Sequence, residues 1–340
     1  MTLQIAVRVP PCAPVRQLVD LAQHMERGGI DRVSFPDSQL LWRDVWSTLT
    51  ATAMATTDLG LSLSVTNPIT RHPSVTAGAA RTVAELAPGR LEIGFGAGDS
   101  AVSHIGRRSA RSADLESAVD AVRLLLHGKE VADEVHPWTL VDPIEVPVLI
   151  GASRPRNLEM SGRIADGAII PGIAWERGCK IVRDGAVAAG RNPDALSYIM
   201  MRSCAITDDP QRDAVIFKPS CLRHAQMVGT AIFEEAGVPI DAPPHDLTHG
   251  DLGHPKSWDE AVRISSEWVT DEAALWYART HALFGTPEQV AEQLADLEAA
   301  GVQRLLLAQL ESFRLPVRLI DSLIDGVLPI ARGEGVVASR

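Results

Sequence analysis

Three stretches carry residue types that could do chemistry, and each sits just after an apolar run. Gly94-Phe95-Gly96-Ala97-Gly98-Asp99-Ser100 combines glycines with a carboxylate. Glycines such as Gly98 leave room for a flat ligand against the backbone, with Asp99 pointing into the mouth. The spacing fails the dinucleotide fingerprint, because the last glycine of G-x-G-x-x-G would fall on Asp99 or Ala101. A tight turn with a solvated aspartate is the competing reading. Thr66-Asn67-Pro68-Ile69-Thr70-Arg71-His72-Pro73 offers hydroxyl, amide, guanidinium and imidazole groups on a loop stiffened by proline. Its alternative is a helix entry started by His72-Pro73. Gly151-Ala152-Ser153-Arg154-Pro155-Arg156-Asn157 places a serine and two arginines at a helix start, where free N–H groups favour an anion. Here the alternative is an N-cap serine beside solvated arginines.

Other chemistries lack their residues. There is no G-x-S-x-G elbow and no H-E-x-x-H pair. Cys12, Cys179, Cys204 and Cys221 are far apart, which argues against a zinc ribbon, a disulfide framework or an evident nucleophile. His245, His249, Asp251 and His254 cluster in a Pro- and Gly-rich loop but match no zinc signature, so no metal is expected. A net charge of −11 argues against nucleic acid as a partner, and only local basic spots could hold an anionic ligand; a small-molecule substrate is the expected partner. The N-terminus does not read as a signal peptide, and no uncharged apolar run is long enough to span a bilayer. A cytoplasmic protein with reduced thiols and no membrane partner is the expectation.

These loops need rigid elements to position them. Apolar strands are expected at Leu3–Val9, Asp31–Phe35, Leu59–Val65, Arg90–Phe95, Val146–Ile150, Gly167–Ile170, Ser197–Ile206 and Val302–Ala308. Helical patterns separate most of them, including Val15–Arg27, His72–Leu86, Ala113–Leu126 and Pro287–Ala300. Thr286-Pro287-Glu288-Gln289 reads as a capping box with a purely structural role. Eight such units predict an α/β protein, a closed (β/α)8 TIM barrel formed as one domain over 1–340; a doubly wound open sheet is the rival. A helical insertion over 208–285 precedes the last strand, as a lid, extra packing or a dimer contact.

Taken together, the loops resemble the luciferase-like flavin and deazaflavin oxidoreductase family. The resemblance is carried by Pro36-Asp37-Ser38, Val65–Pro73, Gly89–Ser100, Pro147–Gly167 and Phe284–Val290. These span the first half of the chain and its last quarter, in the family's order. The resemblance implies a barrel with its cofactor at the C-terminal ends of the strands, either coenzyme F420 or FMN. It favours the F420 branch, which includes the methylenetetrahydromethanopterin reductases. It further implies a non-proline cis peptide after strand three, here Ser64–Val65. Asp37, Ser64, Val65, Thr66 and Asn67 would border the ring, and Gly151, Ala152 and Ser153 would meet the phosphate, with Gly172 and Ile173 close by. Asp99 falls where alcohol- and sugar-phosphate-oxidising members hold a substrate-side acid, and Trp42 near their active-site tryptophan. Relatives commonly pair, so a homodimer or higher oligomer is expected.

One departure bears on the reaction. Those members carry a histidine directly after the aspartate, where this chain has Ser38. A serine is a poor general base without an activating partner. Hydride transfer from reduced F420 to an unsaturated substrate needs that base less, with Asp99 able to donate a proton if buried. Two alternatives remain: an FMN-dependent monooxygenase fed by a separate flavin reductase, and a binding barrel without cofactor.

Overall fold

The computed structural model describes residues 3–132, 136–247 and 254–333. The strands are β1 (Gln4–Arg8), β2 (Arg32–Phe35), β3 (Gly60–Thr66), β4 (Leu91–Phe95), β5 (Val148–Gly151), β6 (Gly167–Pro171), β7 (Ser197–Ile206), β8 (Ala282–Gly285) and β9 (Arg304–Ala308). β1 to β6 lie side by side in order, β6 pairs with β7, and β9 joins β7 back to β1. The pairings from β1 through β8 are parallel. The result is the closed eight-stranded barrel expected from the alternation of apolar strands and helices, and not an open sheet. β8 was not anticipated. It pairs only with the outer length of β7, Ser203 to Ile206. Four residues leading straight into a capping box give no strand period of their own in sequence.

The chain divides into two compact units. The first runs from Met1 to Met201 and includes Val302–Leu306. Its inward-facing residues split by size. Leu149, Ile169, Ile199 and Leu306 pack together with Ala6. On β2 to β4, by contrast, the barrel faces carry serine, glycine and charged residues. A cavity of about 280 Å³ opens there at the N-terminal ends of the strands, lined by Gln4, Arg32, Ser62, Ser64, Glu92 and Arg304 among others. It lies at the opposite strand ends from the loops singled out above.

Helices form where the sequence announces them. Val15–Arg27 buries Leu18, Leu21, Ala22 and Met25 on one face, worth about 1.5–3 kcal/mol for each large side chain. Pro287–Ala299 starts at the expected capping box, in which the Thr286 hydroxyl accepts from the Gln289 N–H and the Gln289 side chain accepts in return. The second unit holds Arg202–Gly301 and the segment from Leu307 onward. Its helices Lys218–Val228, Trp258–Ser265 and Asp271–His281 bury a core of their own around Leu222, Phe233, Ala261 and Ala273.

Candidate active site

The end of β3 organises the loops around it. The register with β4 shifts between Leu63 and Thr66, and the Ser64–Val65 peptide bond is cis, as the resemblance implied. Ser64 turns its hydroxyl to that of Ser62 at 2.8 Å. Val65 lies over the neighbouring strands. Thr66, fully enclosed, donates to Oδ2 of Asp37 at 2.7 Å.

Asp37 sits in the loop after β2 with its side chain 1% exposed. Arg71 donates to the same Oδ2 through Nη1 and reaches Asp44 Oδ2 with Nη2 at 2.7 Å. Asp44 in turn caps the helix Val45–Ala55 by accepting from the Ser47 N–H. Burial pushes the Asp37 carboxyl above the ordinary aspartate range, although Arg71 and Thr66 pull it down. Ser38 is buried, its hydroxyl 3.1 Å from that of Ser100, and Gln39 donates to the Ala101 carbonyl. The loops after β2, β3 and β4 are thus tied to one another. Ser112 and Asn157, paired at 2.8 Å, extend the tie to the segment after β5.

Several expectations need revision. The space beside Gly94 is filled by Ile169, the Leu63 carbonyl and Val65, and that beside Gly96 by a Val65 methyl. Gly98, with φ of 95°, is required by the turn: a Cβ there would lie 2.4 Å from Val102 Cγ2. Asp99 is exposed and not buried, so the condition for its role as proton donor is not met; its carbonyl starts the short helix Ser100–Ser103. The Ala152 N–H already donates to the Ile169 carbonyl, which removes it from any anion site. The helix Pro155–Ile164 is entered through Arg154 without a side-chain cap, so Ser153 is not an N-cap. Asn67 accepts from the Ile69 and Thr70 N–H groups, which spends its carbonyl on the loop itself. His72 is the N-cap of Pro73–Leu86, so that half of the motif is structural.

The remaining positions are laid out as follows. Trp42 is buried with the Arg8 guanidinium 5.7 Å from its ring centroid. Ser153, Arg154 and Arg156 are exposed at the helix start beside the end of β5. Gly172 and Ile173 form a single helical turn after β6, with Ile173 exposed. Gly151 ends β5 against Val65. Sequence reasoning missed Arg71 as the partner of Asp37, and missed Asp44. Asp44 did leave a signal, an acidic residue followed three places later by serine at a helix start.

Among the described residues, no group of three or more His, Cys, Asp or Glu side chains could hold a metal ion. His249 and Asp251 lie outside those residues, and His254 pairs with Ser312. No described helix is long and apolar enough to cross a membrane.

Comparison with known proteins shows the family. Residues 2–304 match the family described as luciferase-like monooxygenase. A 5,10-methylenetetrahydromethanopterin reductase of Archaeoglobus fulgidus is 26% identical over 282 residues, covering 78% of this chain and 81% of that protein. An F420-dependent glucose-6-phosphate dehydrogenase of Mycolicibacterium fortuitum is 31% identical over 320 residues, covering 83% and 91%. The solved coenzyme F420-dependent tetrahydromethanopterin reductase from Methanopyrus kandleri shares the fold, with a TM-score of 0.75 at 19% identity over 97% of this chain and 99% of that one. The chain therefore belongs to the luciferase-like monooxygenase family, on the side that holds the methylenetetrahydromethanopterin reductases.

Proposed function

We propose that this protein is an F420-dependent oxidoreductase that passes a hydride between C5 of the deazaflavin and a small organic substrate. The observation that carries the reading is the linked rim at the C-terminal ends of β2 to β5. There Asp37, Thr66 and Arg71 fix the end of β3, and an uncapped helix start lies beyond β5. The relatives described as F420-dependent support the choice of cofactor.

The residues fit such a group by their chemistry. The helix start offers an exposed serine hydroxyl and two exposed guanidiniums to a phosphate, and its first N–H groups lack intrahelical partners by position. Val65 stands half-buried at the end of β3, where a ring could rest on the chain. The cofactor, when bound, supplies hydride chemistry, and the chain supplies position and electrostatics. Asp37 contributes a carboxylate held in one orientation. The Ser38 hydroxyl faces another serine hydroxyl, that of Ser100, and not a base. Reduction of an unsaturated substrate therefore suits this site better than oxidation of an alcohol. Asp99 stands on the exposed side of the rim.

A side-by-side binding titration tests the reading. F420 is expected to bind with micromolar or better affinity. Binding of FMN alone would move the chain to the second reading, the monooxygenase chemistry that the family's description names. If neither ligand raises the melting temperature, the barrel binds no such cofactor.

A further inference from the structure

Val65 is held by an absence of side chains. Its Cγ1 would lie 3.1 Å from a Cβ at Gly94 and 2.9 Å from one at Gly151, and its Cγ2 would lie 2.9 Å from one at Gly96. Real Cβ atoms essentially never come within 3.0 Å of such neighbours. None of the three glycines has a positive φ, so the backbone itself would accept alanine. At Gly96 and Gly151 the next nearest atom from any other residue is 4.0 and 3.7 Å away, leaving Val65 as the only tight neighbour among the described residues. At Gly94 the Leu63 carbonyl and Ile169 also crowd the position.

Packing alone does not explain the arrangement. Glycine in place of alanine costs chain entropy on folding. Gly96 and Gly151 bear that cost to admit one valine that is itself only half-buried. Alanine at positions 96 and 151 beside a smaller residue at 65 would fill the same space more cheaply. Valine is stiff about χ1, so a side chain pushed from this socket moves its backbone and does not simply rotate away.

We propose that Gly94, Gly96 and Gly151 are positioning residues. They form a socket that sets how far Val65 and its backbone stand out toward the bound ring. The inference rests on the cofactor reading above.

The test is a double-mutant cycle on the full chain, read by F420 titration, with circular dichroism confirming the fold of each variant. Gly96→Ala and Gly151→Ala are each expected to weaken F420 binding about tenfold, the scale of coupling between touching residues. Val65→Ala empties the socket, so adding Gly96→Ala to it should cause little further loss. Should the glycine variants not fold, Val65→Ile overfills the socket from the other side and should weaken binding likewise. Wild-type affinity in folded Gly96→Ala and Gly151→Ala, or in Val65→Ile, would overturn the socket and leave the cofactor reading standing. So would a loss in Gly96→Ala that Val65→Ala does not relieve. A wild-type protein that binds neither F420 nor FMN removes the cofactor reading and the positioning role together.

Discussion

Two arginine–carboxylate assemblies of the barrel unit, one at each end of its strands, are built to opposite plans. At the N-terminal ends one carboxylate serves two guanidiniums. Arg304 grips both oxygens of Glu92 at 2.8 and 2.9 Å, and Arg32 approaches to 3.5 Å. At the C-terminal ends one guanidinium, that of Arg71, serves two carboxylates, Asp37 and Asp44. The first assembly joins β2, β4 and β9, each part standing on a strand. Arg32 also donates to the Leu61 and Arg90 carbonyls, and Arg304 to the Ser197 hydroxyl. It acts as a staple across the barrel. The second stands on loops, and its Asp44 is 48% exposed. Barrels place stability at the N-terminal face and chemistry at the other, and the two plans follow that division.

Removing the shared partner separates the two most sharply. Glu92→Gln leaves two partly buried guanidiniums without the carboxylate they share. It should cost about 3 kcal/mol of stability in urea denaturation, as expected when one member of a buried ion pair is lost. The protein that stays folded should bind F420 as before. A loss under about 1 kcal/mol, the scale of a surface pair, would remove the staple from the comparison.

Asp37→Asn tests the other end. Arg71 keeps Asp44, so the stability change should be smaller, while F420 affinity falls about tenfold. The variant also predicts a pH signature. Burial raises the folded pKa of Asp37 above its ordinary value of 3.8, so folding takes up a proton between the two values. Stability then falls as pH rises through that window, and Asp37→Asn should flatten the slope. Arg71→Lys should have a lesser effect, about 1 kcal/mol of stability, because a single ammonium cannot reach both carboxylates in the forked geometry.

The barrel was legible in sequence because strand and helix periods repeat along most of the chain and each turn carries its own punctuation. The loops that face the site were legible as motifs, since Asp37, Thr66 and Arg71 all fall in short segments of unusual composition. What did not show is pairing across the chain. Nothing in one sequence says that Arg71 meets Asp37 across 34 positions, or Arg304 meets Glu92 across 212. The glycines misled for a related reason. A missing Cβ marks a close approach but does not name the partner, which proved to be Val65 at Gly96 and Val102 at Gly98.

The second unit shows what happens when a half-buried cation has no such partner, and it yields the smallest predicted effect. Arg202 Nε, His224 Nε2 and His281 Nε2 are buried without a hydrogen-bond partner among the described residues. The two imidazoles stack at 6.2 Å. Burial first, then His224 and Arg202, pull His281 down to about 4 from 6.5. Folding therefore needs His281 neutral, whereas the unfolded chain takes up a proton below 6.5. Stability is full above that value and is lost as pH falls toward 4. Because the ring is only partly buried, solvent screens the effect to the order of 1 kcal/mol. Trp276, whose ring centroid lies 5.4 Å from that of His281, provides the probe. Denaturation followed by tryptophan fluorescence should lose stability between pH 6.5 and 4. His281→Asn, which takes up no proton, should lose less across the same range. Equal slopes in the two proteins would show that the unpartnered cluster tolerates charge as well as the paired assemblies of the barrel do, and the contrast between partnered and unpartnered cations would fail.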